Sequence, residues 1–508
     1  MNPTHFRFPW ALRSIAVCAC ALVGLFAAGC AGGSANSHSG QKQVENTSVT
    51  VMISSTANDQ LAEFNLFLDS ITLTSESGDT VSLLAAPQQA EFIHLNGSAE
   101  PLATVSVPQG TYTSATATIG AASFFCVTYI SSEQAFDISI FAYGYVPGSQ
   151  VTVNLPASIS VSGSEMGLLL DLQVLQSASY ASCAGYPGES WAITPTFNLT
   201  PVAFASQPTS PANGKMTGLN GIVSSVDLAG NNFTVASADG PATETLESGA
   251  TVNSTGIVWQ LASTGSTVFQ GVSGLSALAV GMPVNMDAEM QPDGSLQATR
   301  VEVEDTDIND LSVTSGPLLE VISFEPVVVS QGTLEQGPLY TPGDMKGAPF
   351  SVDGAAFKIS WQVTNLANLP FTPNFSAASM VAGQNVAITT HAASFSSAGG
   401  YPPAATLTLM PQTVNGTVSA VSTANGFTIY TVTLAPYDLF PTLAFTDYFQ
   451  TSPLTDPNTV IVYADANTQM LNTGSATVGS LLRFTGLVLN DNGTLRMDCS
   501  KIDTGVTE

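Results

Sequence analysis

Beyond residue 30 this chain of 508 residues carries three histidines, His38, His94 and His391, and no two of them are neighbours in sequence. A zinc site built on imidazoles, or a serine–histidine–acid triad, would have to use one of them alone. No Gly-x-Ser-x-Gly, His-Glu-x-x-His, phosphate-binding loop or dinucleotide fingerprint occurs. Carboxylates are more plentiful. Glu165 and Asp171 flank an apolar stretch and Glu189 sits in a Tyr- and Gly-rich segment, so an acid pair of the glycosidase kind can be drawn. In a chain this acidic, scattered carboxylates mostly face water. The densest acidic run is Glu302, Glu304, Asp305, Asp307 and Asp310. Asp305-x-Asp307-x-Asn309 imitates the start of a calcium loop, but Asp310 stands where an EF-hand has Gly and Gly316 where it has Glu. Asp305, Asp307 and Asp310 are left as candidates for an irregular calcium site stiffening a stalk; the plainer expectation is a solvated junction that keeps its neighbours apart. Tyr143 and Tyr145 precede Pro147-Gly148, and Tyr180, Tyr186 and Trp191 surround Cys183; a bridge from Cys126 to Cys183 would gather them at one end of the first domain. Exposed, such rings would suit stacking on a sugar; core packing at strand ends is their commoner fate. No cofactor is expected, and the expectation for catalysis is negative.

The elements that would position these groups begin after a leader. Residues 1–14 hold Arg7 and Arg13 and no acid, and Ile15 to Ala28 runs apolar without a charge. That is the pattern of a secretory signal, too short for a comfortable membrane span. It ends Ala27-Ala28-Gly29-Cys30, which resembles the lipobox of bacterial lipoproteins, with Ala27 where Leu is usual. The resemblance implies that Cys30 receives a diacylglycerol and becomes the new amino terminus, so the membrane is the first expected partner. Residues 30–48 are small and polar, as a flexible tether should be. Ala31 follows the cysteine, and by resemblance to the enterobacterial sorting rule this directs the protein to the outer membrane. No other apolar run is long enough to cross a bilayer.

Composition narrows the remainder. Apolar residues make up 44% and charged residues only 9% of the chain, against about 25% charged in typical soluble domains. Ser, Thr, Ala, Val, Asn and Gly fill the gap, which suits β-structure with hydroxyl-bearing outer faces. The formal net charge is −28, and removal of residues 1–29 takes away two arginines and no acid, leaving about −30. Nucleic acid would be repelled, so the partners expected are another envelope protein or a polysaccharide. Cys18 and Cys20 leave with the leader, and Cys126, Cys183 and Cys499 remain in an oxidising compartment. Cys126 and Cys183 fall in one predicted domain and are expected to pair, leaving Cys499 as a lone buried thiol.

The fold class read from the sequence is all-β: an N-terminal β-sandwich over 49–205, a Pro/Ser/Ala-rich linker over 206–215, and three small β-barrel-like repeat modules over 216–311, 312–411 and 412–508. In the first domain, Phe64–Leu73, the turn at Gly78, Val107-Pro108-Gln109-Gly110-Thr111-Tyr112, Leu168–Asp171 and Thr196–Pro201 resemble domain of unknown function 4382. That resemblance implies a fold and no activity. After the linker the chain repeats. Asn220-Gly221-Ile222-Val223 recurs as Asn415-Gly416-Thr417-Val418, Phe233-Thr234-Val235 as Phe427-Thr428-Ile429, Val280-Gly281 as Val478-Gly479, and Asp293-Gly294-Ser295-Leu296 as Asn492-Gly493-Thr494-Leu495. A weaker middle copy carries Ala382-Gly383-Gln384-Asn385-Val386. These units resemble domain of unknown function 5666, a small exported β-module. The expected work is non-catalytic binding or scaffolding, the alternative being a polysaccharide-binding or polysaccharide-modifying protein.

Overall fold

The structure, a computed structural model, describes residues 45–58, 61–93, 95, 99–127, 139–145, 150–178, 191–202, 215–237, 243–245, 251–253, 256–291, 295–308, 311–322, 327–330, 333–336, 348–360, 366–391, 401–436, 438–446, 454–470, 473 and 476–506. Glu45–Glu508 form one compact unit, and its regular structure is almost entirely β.

Twelve strands build the first sheet: β1 (Asn46–Ser55), β2 (Leu61–Ser75), β3 (Thr80–Ser82), β4 (Gln88–Glu91), β5 (Ala99–Pro108), β6 (Gly110–Val127), β7 (Ser139–Tyr145), β8 (Gln150–Asn154), β9 (Ile159–Val161), β10 (Glu165–Leu172), β11 (Trp191–Ala192) and β12 (Phe197–Val202). A short helix, α1 (Val174–Ser177), follows β10. The order runs β11-β7-β6-β8-β12-β10-β1-β5, with β2 on the other edge of β6 and both β3 and β4 beyond it. Every second residue faces the apolar core, Val49, Val51 and Ile53 on β1 and Leu168, Leu170 and Leu172 on β10, and β1 is buried on its other face as well from Thr50 onward. The sheet folds over that core. Phe92, just past β4, meets Phe197 of β12 edge to face at 6.1 Å, and Ser55 at the end of β1 donates to the Phe92 carbonyl at 2.6 Å. The two layers of the expected sandwich are thus parts of one continuous sheet. The stretch Val105–Tyr112 spans a corner between two strands. The chain turns at Gln109 between β5 and β6, and the Tyr112 hydroxyl donates to the Pro108 carbonyl at 2.8 Å, pinning the corner.

The first barrel holds β13 (Lys215–Asp227), β14 (Asn232–Ser237), β17 (Val258–Ala262), β18 (Val268–Gln270), β19 (Pro283–Met290) and β20 (Leu296–Val303), while β15 (Thr243–Thr245) and β16 (Thr251–Asn253) pair with each other as a separate hairpin. The middle unit holds β21 (Leu311–Ile322), β22 (Val327–Ser330), β23 (Thr333–Gln336), β24 (Ala348–Ser351), β25 (Ala356–Ile359), β26 (Asn385–His391) and β27 (Thr406–Leu409). The third barrel holds β28 (Gln412–Ala424), β29 (Phe427–Leu434), α2 (Leu439–Thr446), β30 (Thr459–Met470), β31 (Leu481–Asp491) and β32 (Thr494–Thr504).

One strand order recurs. In the third barrel the ring is β28-β29-β30-β32-β31, closed, with β30 parallel to β32. In the first it is β13-β14-β17-β20-β19, and β17 meets β20 in parallel through two residue pairs. In the middle unit β22, β21, β26 and β27 follow the same path, and the third strand is broken into β24 and β25, the latter parallel to β27. All three first strands carry a bulge at the same place, after Val223, Leu318 and Val418. All three then exchange a pair of backbone hydrogen bonds with a glycine turn. Gly281 N–H donates to Val223 and Val223 N–H to Met282; Gly383 and Leu318, and Gly479 and Val418, repeat the exchange at 2.7–2.9 Å. These glycines sit at φ of 95°, 90° and 90°, which disfavours a side chain. The Asn-Gly motif has another cause. A Cβ at Gly221 would lie 2.2 Å from the Ala236 carbonyl, and one at Gly416 2.5 Å from that of Thr433.

Candidate functional site

The acidic run starts at the end of strand β20, where Glu302 and the adjoining Glu304 are buried and Asp305 is half-buried. Arg300 lies at its centre. Its Nε donates to Asp287 Oδ2 at 2.8 Å and its Nη2 to Asp287 Oδ1 at 3.0 Å. Nη1 reaches Glu302 Oε2 at 3.0 Å, and Nη2 reaches Asn285 Oδ1 at 2.5 Å. Alternation along β19 and β20 puts these side chains on the barrel's outer face, opposite Val284, Met286 and Val301 of the core. They are nevertheless buried, because the middle unit sits on them. Ser360 Oγ donates to Glu302 Oε2 at 2.6 Å, and Lys358 Nζ to the Glu304 carbonyl at 3.1 Å. Asp305 Oδ2 accepts from Thr389 at 3.2 Å and lies 3.6 Å from His391 Nε2. Its Oδ1 takes the Asp307 backbone N–H at 2.9 Å. Burial penalises the Arg300 charge, but Asp287, with Glu302 and Glu304 behind it, outweighs that and raises its pKa.

The expectation of a solvated junction is corrected here: Glu302 and Glu304 are both buried, and the acids join two modules instead of holding them apart. Asp307 is exposed, and Asp310 lies outside the described residues. Among the described residues no three His, Cys, Asp or Glu side chains gather as a metal would require.

The same outer face carries polar groups in the third barrel. Pairing places Arg483 opposite Asp503 and Thr485 opposite Lys501, where the first barrel has Asn285 opposite Glu302 and Asp287 opposite Arg300. Burial, with Arg483 close by, lowers the Lys501 pKa, and Asp503 opposes the shift. Asn415 holds this face shut: its Nδ2 donates to the Val506 carbonyl at 2.7 Å and its backbone N–H to Asp438 at 2.8 Å. In the middle unit the corresponding positions are Ala387 opposite Thr408 and Thr389 opposite Thr406.

In five-stranded Greek-key barrels the outer face of the second and third strands is a frequent ligand surface. In the third barrel the middle unit covers it. Phe371 stacks on Tyr463 at 5.4 Å, Leu369 packs with Phe427 and Tyr463, and Arg496 lies over the Phe371 ring at 5.2 Å. Arg496 also donates to Asp491 at 2.7 Å and to the Tyr463 hydroxyl. In the first barrel this face offers Thr234 and exposed Gln260, with Ser224 and Ser225 of the neighbouring β13 placing their hydroxyls 2.7 Å from that of Thr234.

The other predicted residues scatter. Cys30, Cys183, Tyr186, Glu189, His38 and His94 lie outside the described residues. Cys126 is on β6, where its backbone pairs with Leu61 and Ile140. Tyr143 and Tyr145 are on β7, and β11 brings Trp191 into register with Gly144 between them. Glu165 and Asp171 stand at opposite ends of β10, about 20 Å apart at the rise of a strand, too far for a glycosidase pair. Asp171 is tied up locally: burial raises its pKa, while hydrogen bonds from Ser54 and Gln173 pull it back. Cys499 is a free thiol wholly inside the third barrel.

Sequence reasoning missed Arg300, Asp287 and Ser360. The signal for the first two was present: Arg300-x-Glu302-x-Glu304 puts charges on one side of a strand whose other side is Val301 and Val303. No family model matches the chain, and no curated protein and no solved structure shows significant similarity to it.

Proposed function

We propose that the chain is exported, cleaved before Cys30 and held by lipid on the outer membrane, where its β-domains act as a non-catalytic scaffold or binding surface. The likeness to the two uncharacterised exported families belongs to the same reading. One observation carries the scaffold half: among the described residues, the first sheet, the first barrel, the middle unit and the third barrel are each joined to the next by a side-chain hydrogen bond. Trp259 Nε1 donates to the Pro101 carbonyl at 3.2 Å, Ser360 meets Glu302, and Gln384 Nε2 donates to the Val488 carbonyl at 2.8 Å. Modules fixed in this way present their surfaces at set spacing, which suits holding partners and gives no special advantage to a single active centre.

The test uses the lipidated protein. A palmitate analogue should label the wild type and not Cys30→Ser, and the variant should leave the membrane fraction. An unlabelled, uncleaved wild type would refute the anchor. Capture from envelope extract should then retain a protein partner. Retention of polysaccharide instead, in affinity electrophoresis, would favour the second reading, which rests on the hydroxyl- and amide-bearing face of Ser224, Ser225, Thr234 and Gln260.

A further inference from the structure

Each barrel has the same surface beside its glycine turn: the first-strand edge beyond the bulge and the residue preceding the glycine. In the middle unit the third barrel covers it. A Cβ at Gly383 would lie 2.7 Å from the Phe440 ring of α2. Val381 and Ala382 are fully buried, and Val321, 3% exposed, packs with Leu487 and Leu489 of β31. In the first barrel, Ile308 lies against Gly281, while Val280 before it is 57% exposed. There the strand ends in a charge, Asp227, whose carboxylate accepts from the Ala229 and Gly230 N–H groups.

In the third barrel the surface is open. A Cβ at Gly479 would meet no atom within 4 Å. Val478 is 63% exposed and Val421 39%, against 3% for Val321 at the matching position. Strand β28 pairs with β31 only as far as Thr417, and among the described residues no strand pairs with its outer edge from Ser419 to Ala424. Neither 418–424 nor 477–480 contains a charged residue, in a chain of net charge −28.

We propose that this edge is where a second copy of the chain docks, β28 against β28, antiparallel about a two-fold axis, with Val421 and Val478 closing over the joint. Three considerations carry it. The one copy of this surface that is covered is covered by another barrel of the same kind. An unpaired edge offers N–H and C=O groups at alternate residues, and proteins usually blunt such edges with charge, as Asp227 does in the first barrel. Lastly, two strongly acidic molecules approach most easily where neither carries charge, and a single self-complementary patch satisfies two-fold symmetry. The inference rests on the scaffold half of the proposed function and not on the lipid anchor, so a failed anchor leaves it standing.

Residues 45–508, the compact unit, serve for the test. Sedimentation velocity across a concentration series should show a monomer–dimer equilibrium. Val421→Asp or Val478→Asp should weaken it by about tenfold or more, because like charges then meet across the axis. Both side chains are exposed, so an unchanged circular dichroism spectrum verifies the fold. Amide exchange at Ser419–Ala424 should slow as concentration rises. A monomer at every concentration would overturn the inference, as would a dimer indifferent to both substitutions with exchange at Ser419–Ala424 unchanged.

Discussion

Arg300→Met tests whether the acidic junction is a buried network. Methionine keeps much of the side chain's length and apolar stem and removes the charge. It leaves Asp287 and Glu302 buried against the middle unit without the guanidinium that holds them. Breaking a buried ionic pair from one side costs about 3–5 kcal/mol, whereas a surface pair contributes about 0–1. The burial of both acids places this network in the first class. The loss should therefore be about 3–5 kcal/mol at pH 7, read from urea unfolding followed by tryptophan fluorescence. A loss under about 1 kcal/mol at pH 7 would refute the buried network.

Other substitutions probe the same framework. A Cβ at Gly486 would lie 2.0 Å from the Asp498 carbonyl, so Gly486→Ala must part β31 from β32 and should cost at least about 1–3 kcal/mol in thermal or urea unfolding; an unchanged midpoint would contradict the close approach. Tyr112→Phe removes only the hydrogen bond to Pro108 and should cost about 1 kcal/mol, a value that urea midpoints resolve. Cys499 is fully buried and burial pushes its thiol pKa up. Peptide mapping after alkylation at pH 8 should find it unmodified in the native protein and modified in denaturant, because the thiolate is the reacting form; native labelling would place it outside the barrel core.

The all-β class was legible because its causes are local. Strands such as β8 and β14 alternate buried and less buried residues one by one, and Thr and Ser supply their outer faces. The repeats were legible for a related reason: Gly221 and Gly416 answer a close backbone approach, and Gly281 and Gly479 a positive φ, which few other residues can satisfy. The junction was not legible. Counting charges around Asp305 suggested water or calcium, while the groups that bury these acids come from far along the chain, Ser360 at 58 residues from Glu302 and Thr389 at 84 from Asp305. No local pattern announces such partners. Even the sandwich reading needed tertiary information, since it takes the contact of Phe92 with Phe197 to reveal one sheet folded over on itself.

The faint sequence signal of the middle copy has a physical source in its neighbours. It is in contact on two sides. Against the first barrel it sets Ser360, Thr389 and His391 around Glu302 and Asp305. Against the third it buries Val381, Ala382, Leu318 and Val321. Residues that in the other copies lie at a surface here face a second core, so their identity is dictated by what they touch and no longer by the barrel alone. What the three copies keep is what packing cannot trade: the bulge after the first strand's central residue, and a glycine at positive φ that exchanges hydrogen bonds with it. In stacked repeats each unit is stabilised through its neighbours. Divergence at the contact positions is therefore the expected result of fitting one barrel between two others, and constancy of the turn is the mark of the barrel itself.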